Sequence, residues 1–285
     1  MLGEAQNDFK SKDNEEKNTI IQQAKERFLQ RYNLGLPKFY FDITKINLDG
    51  CKINEDGSFD ITQEYGVAIQ KYEEFQKNCI NIALSKAINA AIQRNPIYSS
   101  KKISPEERSI FREFWKKKLI EIGEDFENKE PRPFFATIHD NYSNEDIAEI
   151  NNDLTKNWEI ENLKKSVFYE EKILYLKEQM NSKFFHDQEN SILRSPGFKI
   201  SHAQKSLSVF LKHIWCLGLI PRPPQCPIDR IILSNLSSYD RKYNNFSWTK
   251  VNTIEEHRQI IQDLQNLCRE EPMAEWELLA FQPAQ

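Results

Sequence analysis

Apolar residues recur at helical spacing along most of this chain, and short polar or proline-containing breaks separate the stretches. From Asn14 to Tyr32, Ile20, Ile21, Ala24, Phe28 and Leu29 fall on one side of a helix, and Asn33 to Pro37 stop it. Lys38 to Ile61 turn aromatic and β-branched, with Asp49-Gly50 and Asp56-Gly57 placed as tight turns, which predicts a small N-terminal β-meander. The helical period resumes from Gln63 to Arg94 through Val67, Tyr72, Phe75, Ile80, Ala83 and Ile88, until Asn95-Pro96 breaks it.

Ser104-Pro105-Glu106-Glu107 combines a capping box with a proline at the first helical position, and Gly123 predicts the end of that helix. Beyond the proline- and aromatic-rich stretch from Pro131 to Phe135, Ser143 caps a short helix, and Trp158 to Met180 reads as a longer one. Ser195-Pro196-Gly197-Phe198 makes a turn. A helix from Ser201 to Leu217, a proline-rich loop from Pro221 to Pro224 and a helix starting at Cys226-Pro227 follow. Thr253 with Glu256 caps a last clear helix ending near Arg269, and Trp276 lies in the closing segment. The chain is therefore predicted to be mainly α, with an N-terminal helical and β-meander region over 1–100 and a helical core over 101–285.

Composition narrows the class. With 39% apolar and 12% aromatic residues and only 8 glycines in 285 residues, the chain can fill a core and is no linker. No stretch approaches the roughly 18 uncharged apolar residues of a membrane span, and Met1 to Asn18 lacks the pattern of a secretion signal. A cytoplasmic monomer without membrane contact is expected. The five cysteines are odd in number and scattered, without a CxxC pair, so neither a disulfide framework nor a zinc knuckle is expected. No His or carboxylate spacing suggests a metal site.

Net charge is −4, yet Ser191 to Lys250 holds nine bases against two acids, an excess of seven that leaves −11 for the remainder. Such an uneven distribution suits a protein with one face on phosphates. Within this segment, Leu207, Phe210, Leu211, Ile214 and Trp215 form an apolar stripe, while His202, Lys205, Ser208 and Lys212 fall on the other side. The spacing turns Lys205 and Lys212, seven residues apart, the same way. Pro227 at a first helical position would put Asp229 in the first turn, where free N–H groups and the helix dipole favour a carboxylate. An amine and a stabilised anion are thus expected on adjoining helices joined by a stiff loop.

The strings AQKSLSVFLKHIW and PPQCPIDRIIL carry Gln204-Lys205, Lys212 and Pro227-Ile228-Asp229. They resemble the catalytic lysine and aspartate helices of helix-hairpin-helix DNA glycosylases, closest to the archaeal 8-oxoguanine DNA glycosylase branch. The hairpin ahead of the lysine helix, Ser195-Pro196-Gly197-Phe198, has one glycine where the family has two.

The resemblance implies a helix-hairpin-helix core with its catalytic helices at 201–237. It also implies a DNA N-glycosylase that extrudes and excises a damaged or modified base from double-stranded DNA, with or without AP-lyase activity. Base-excision repair and defence against modified phage DNA are both compatible roles. Lys205 would attack the sugar and Asp229 would stabilise its positive charge. Gln204, Lys212, Phe210 and Trp276 would shape the base pocket, and Lys199, His202, Arg222 and Arg230 would contact DNA, with no cofactor. Trp248, Phe246 and Trp115 are further candidates for stacking or for a wedge. The alternative is a non-catalytic DNA-binding or scaffold protein with the same helical fold.

Overall fold

Helices dominate the computed structural model of the chain, which describes residues 12–32, 51–53, 59–61, 63–99, 103–127, 165–185, 191–269 and 271–280. Helix α1 spans Asn14–Arg31, capped where the Asp13 side chain accepts from the Glu16 N–H. Strands β1 (Cys51–Ile53) and β2 (Phe59–Ile61) pair antiparallel, with Lys52 opposite Asp60. The rest of the stretch expected to form a meander, 38–50 and 54–58, lies outside the described residues. Helix α2 (Gln63–Ile92), α3 (Pro105–Glu127) and α4 (165–184) follow. The short helix expected at Ser143 also falls outside the described residues.

Helix α5, Ile200–Cys216, lies at the centre: every residue except Val209 is buried. The expected polar face is therefore not a solvent face. Its small polar residues are tolerated because each finds a partner. Ser206 donates back to the His202 carbonyl at 2.9 Å and accepts from Trp115 Nε1 at 3.1 Å, while Ser208 pairs with the Tyr169 hydroxyl.

Helix α2 makes the most extensive helix contact with α5. Ala83, Ala87 and Ala91, spaced four apart and fully buried, put small side chains on one stripe of α2 and allow a close approach. Helix α3 does not stop at Gly123 but runs to Glu127, because that glycine faces α5: a Cβ there would lie 3.0 Å from the Phe210 ring. Gly123 is a packing residue.

Helix α6 spans Arg230–Tyr239, and 3-10 turns at Arg241–Tyr243 and Trp248–Lys250 lead to α7 (Ile254–Cys268) and α8 (Met273–Ala280). The Thr253 and Glu256 capping box opens α7 as the sequence predicts. One apolar cluster runs from Ile21 of α1 to Ala280 of α8, so described residues on both sides of residue 100 share a core.

Candidate functional site

Pro227 does not open the helix that follows the proline-rich loop; Asp229 is its N-cap, and α6 begins at Arg230. The change follows from the backbone. Asp229 is extended (φ −143°, ψ −172°), and its Oδ1 accepts from the N–H groups of Ile231 at 2.9 Å and Ile232 at 3.1 Å. Oδ2 is left for Lys205 Nζ, 3.0 Å away.

The lysine is nearly enclosed, its side chain 8% exposed against 19% for the aspartate. Burial pushes the Asp229 carboxyl up, but the Lys205 charge and the two backbone N–H donors outweigh it and hold the pKa below its ordinary value. Asp229 is therefore an anion at neutral pH.

Gln204, expected in a base pocket, is used differently. Its Nε2 donates to the Ile228 carbonyl at 3.1 Å and its Oε1 accepts from the Ile228 N–H at 3.3 Å. This two-point clamp fixes the residue immediately before Asp229, so successive side chains of α5 hold the loop backbone and then its acid.

Lys205 and Asp229 share one cavity of about 620 Å³, with Lys212, Val209 and His213 of α5, Glu277 of α8, and Phe28 and Tyr32 of the α1 end. Lys86, Asn89, Ala90 and Ile92 of α2, Gln93 just beyond it, and Pro227 complete the lining. Lys212 Nζ pairs with Glu277 at 2.6 Å, with both side chains less than a tenth exposed, and lies 4.6 Å from the Phe28 ring centroid. Glu277 escapes sequence reasoning because α8 sits 65 positions beyond Lys212 and carries no motif.

His213 packs against the rings of Phe28 and Tyr32, at centroid distances of 4.8 and 5.0 Å. Its Nδ1 donates to the Val209 carbonyl at 2.6 Å, which leaves Nε2 as a buried acceptor without a protein partner. Burial lowers its pKa to about 4, and the imidazole is neutral.

The other expected positions separate. Phe210 turns into the core against Gly123, and Trp276 is buried in α8 beside Glu277; neither lines the cavity. His202 is no phosphate contact: Nδ1 accepts from the Lys199 N–H at 3.1 Å, Nε2 donates to the Asn95 carbonyl at 3.2 Å, and burial lowers its pKa to about 3. Lys199 Nζ donates to Asn95 Oδ1 and to the Thr249 carbonyl, both at 2.7 Å, pinning the loop before α7. Arg222 pairs with Glu275. Arg230 is exposed and lines a separate groove beside α6.

Among the aromatic candidates, Trp115 is a core residue and Trp248 is largely buried, with its ring centroid 5.9 Å from Lys205 Nζ. Phe246 is exposed.

Among the described residues, no group of three or more His, Cys, Asp or Glu is placed to hold a metal ion, and no helix is long and apolar enough to cross a membrane. Cys79, Cys216, Cys226 and Cys268 are buried. No family profile, curated protein or solved structure matches this chain.

Proposed function

We propose that the chain is a DNA N-glycosylase whose cavity receives an extruded nucleotide, with Lys205 and Asp229 acting on its sugar. The observation that carries this reading is the enclosure of an amine and an ionised carboxylate, 3.0 Å apart on separate helices, in one cavity. A cavity of about 620 Å³ lies within the roughly 300–1,000 Å³ of small-ligand sites. The turn between α4 and α5 supports a helix-hairpin-helix reading of the core. Asn181 of α4 donates to the Phe198 carbonyl at 2.9 Å and accepts its N–H at 2.7 Å, closing the two helices around Ser195–Phe198.

In this account the N-glycosidic bond breaks with its electron pair leaving on the base. Asp229 stabilises the positive charge that develops on the sugar. Asp229 also takes a proton from Lys205, whose free amine forms the new bond to the anomeric carbon, and the departing base is protonated from solvent. The C1′–O4′ bond of this glycosylamine then breaks, O4′ taking up a proton and the nitrogen giving one up, and the resulting imine permits β-elimination of the 3′ phosphate; attack by water in place of the amine gives base release alone. Lys212 and Glu277 offer a donor and an acceptor to the base, and Val209 an apolar contact.

The test is release of free base from duplexes carrying oxidised purines and from DNAs with substituted pyrimidines, read by mass spectrometry. Wild-type release that Asp229→Asn abolishes supports the reading. Binding of DNA without release from any substrate leaves a non-catalytic DNA-binding protein instead.

A further inference from the structure

His213 brings to the cavity an acceptor that the bond-breaking chemistry leaves unused. The residue is 2% exposed and lines the same cavity as Lys205 and Asp229. Because Nδ1 donates to the Val209 carbonyl, Nε2 carries a lone pair and no hydrogen, and it is sealed from solvent without a hydrogen-bond partner. A buried polar atom left in this state weakens a fold, and it persists where a ligand supplies the missing group. Burial also keeps the imidazole neutral, so the acceptor is present at neutral pH. What Nε2 lacks is an O–H or N–H donor.

Position along α5 decides which part of a nucleotide brings that donor. Lys205, Val209 and His213 follow one another at four-residue steps and all line the cavity; at 1.5 Å per residue, Val209 stands about 6 Å and His213 about 12 Å beyond Lys205. A sugar held at Lys205 and Asp229 sets its base against Val209. A pyrimidine ring ends there, and what reaches the next turn is a substituent on the far side of the ring. The cavity, at about 620 Å³, is roomier than a bare base requires.

Helix α1 closes this end of the cavity. Phe28 and Tyr32 set their rings 4.8 and 5.0 Å from the imidazole and give the end apolar walls. Tyr32 is the C-cap residue of α1 and only half-buried, so its ring can turn aside to admit a substituent, since a helix end is held less firmly than its middle. The Lys86 ammonium, 5.3 Å from the Tyr32 ring centroid, makes the rim positive. A protonated amine meets like charge there, whereas a hydroxyl does not.

We infer that His213 selects the substrate: its Nε2 accepts from a hydroxyl at the end of a substituent on an extruded pyrimidine, and Phe28 and Tyr32 enclose that substituent. The inference rests on the glycosylase reading and gives it a substrate class. His213 determines specificity and takes no part in breaking the bond.

The experiment measures single-turnover base release by the full chain from duplexes whose uracil carries, on ring carbon 5, a hydroxyalkyl chain of one or three carbons. The matched methyl ethers, which keep the oxygen and lose the donor, are the controls. Wild type is expected to release at least one hydroxyl base at least about tenfold faster than its ether, because the ether leaves Nε2 without a partner. His213→Phe keeps a packed ring and removes the acceptor; the ratio is expected to fall to within about twofold of unity, with ether release within about threefold of wild type. His213→Gln, whose amide oxygen returns an acceptor, recovers part of the preference.

Wild-type release without preference for hydroxyl over ether at either length, or a preference that persists in His213→Phe, overturns the inference and leaves the glycosylase reading standing. Release of oxidised purines alone does the same. Absence of base release from every duplex removes both together.

Discussion

Lys212 of α5 and Glu277 of α8 close a 2.6 Å ion pair inside the cavity that also holds Lys205 and Asp229. Replacing Glu277 takes away the carboxylate that faces the enclosed Lys212 ammonium. Glu277→Ala is expected to cost about 3–5 kcal/mol in denaturant unfolding, whereas the joint replacement Lys212→Met with Glu277→Leu stays within about 1 kcal/mol of wild type or gains stability. The pair also separates folding from function: the joint variant is expected to fold and yet discriminate poorly between substrates.

Gln204 spans from α5 to both backbone groups of Ile228. Gln204→Ala leaves a buried donor and a buried acceptor without partners, an expected loss of about 1–3 kcal/mol each. Because Ile228 precedes Asp229, base release is expected to fall by more than the change in DNA affinity. Equal loss in the two measurements contradicts a positioning role.

Gly197 adopts φ +95°, and a Cβ on it would collide with Asn181 Oδ1. Gly197→Ala thus combines a disfavoured backbone region with a collision against the side chain that closes the α4–α5 turn. The expected destabilisation is about 1–3 kcal/mol, read as a lowered Tm. An unchanged Tm contradicts this description of the turn.

Among the described residues, His202, His213 and His257 are buried in their neutral forms. Burial lowers His202 and His257 to about 3 and His213 to about 4, from 6.5 in the unfolded chain. Below pH 6.5 the unfolded chain binds protons that the folded chain refuses, so stability is full above that value and falls as pH decreases toward 4. Each histidine contributes a slope of about 1.4 kcal/mol per pH unit in that window. Acid unfolding by about pH 4.5 is expected for a domain of ordinary stability. Replacement of His257 by Gln flattens the slope by about a third, measured as Tm against pH. A Tm constant between pH 7 and 5 contradicts neutral burial.

The helix from Ser201 to Leu217 was legible within a residue at each end, since its apolar stripe and the seven-residue spacing of Lys205 and Lys212 both depend on local geometry. Asp229 was legible as an acid at a helix start, although the structure makes it the cap and not a first-turn residue. Periodicity put Phe210 on the apolar stripe, where the structure has it; the resemblance put it in the base pocket, but the neighbouring Val209 lines the cavity instead. One step along a helix turns a side chain by about 100°, and Gly123 on α3 makes room for Phe210 on the core side.

Charge was the least legible property. The cationic excess between Ser191 and Lys250 is offset in space by Glu275, Glu277 and Asp263 from the last two helices, which pair with Arg222, Lys212 and Lys242. No window of sequence brings these together. The contribution of α1, through Phe28 and Tyr32, depends on tertiary packing across nearly the whole chain.

The central claim is that Lys205 and Asp229 act on one sugar as a unit, and a double-mutant cycle on single-turnover base release tests it most directly. Lys205→Ala and Asp229→Asn are each expected to slow release by at least about 100-fold, and the double variant to be no slower than the slower single one, because groups acting in one step are not additive. Near-wild-type release by either single variant, or losses that multiply in the double variant, contradicts the account.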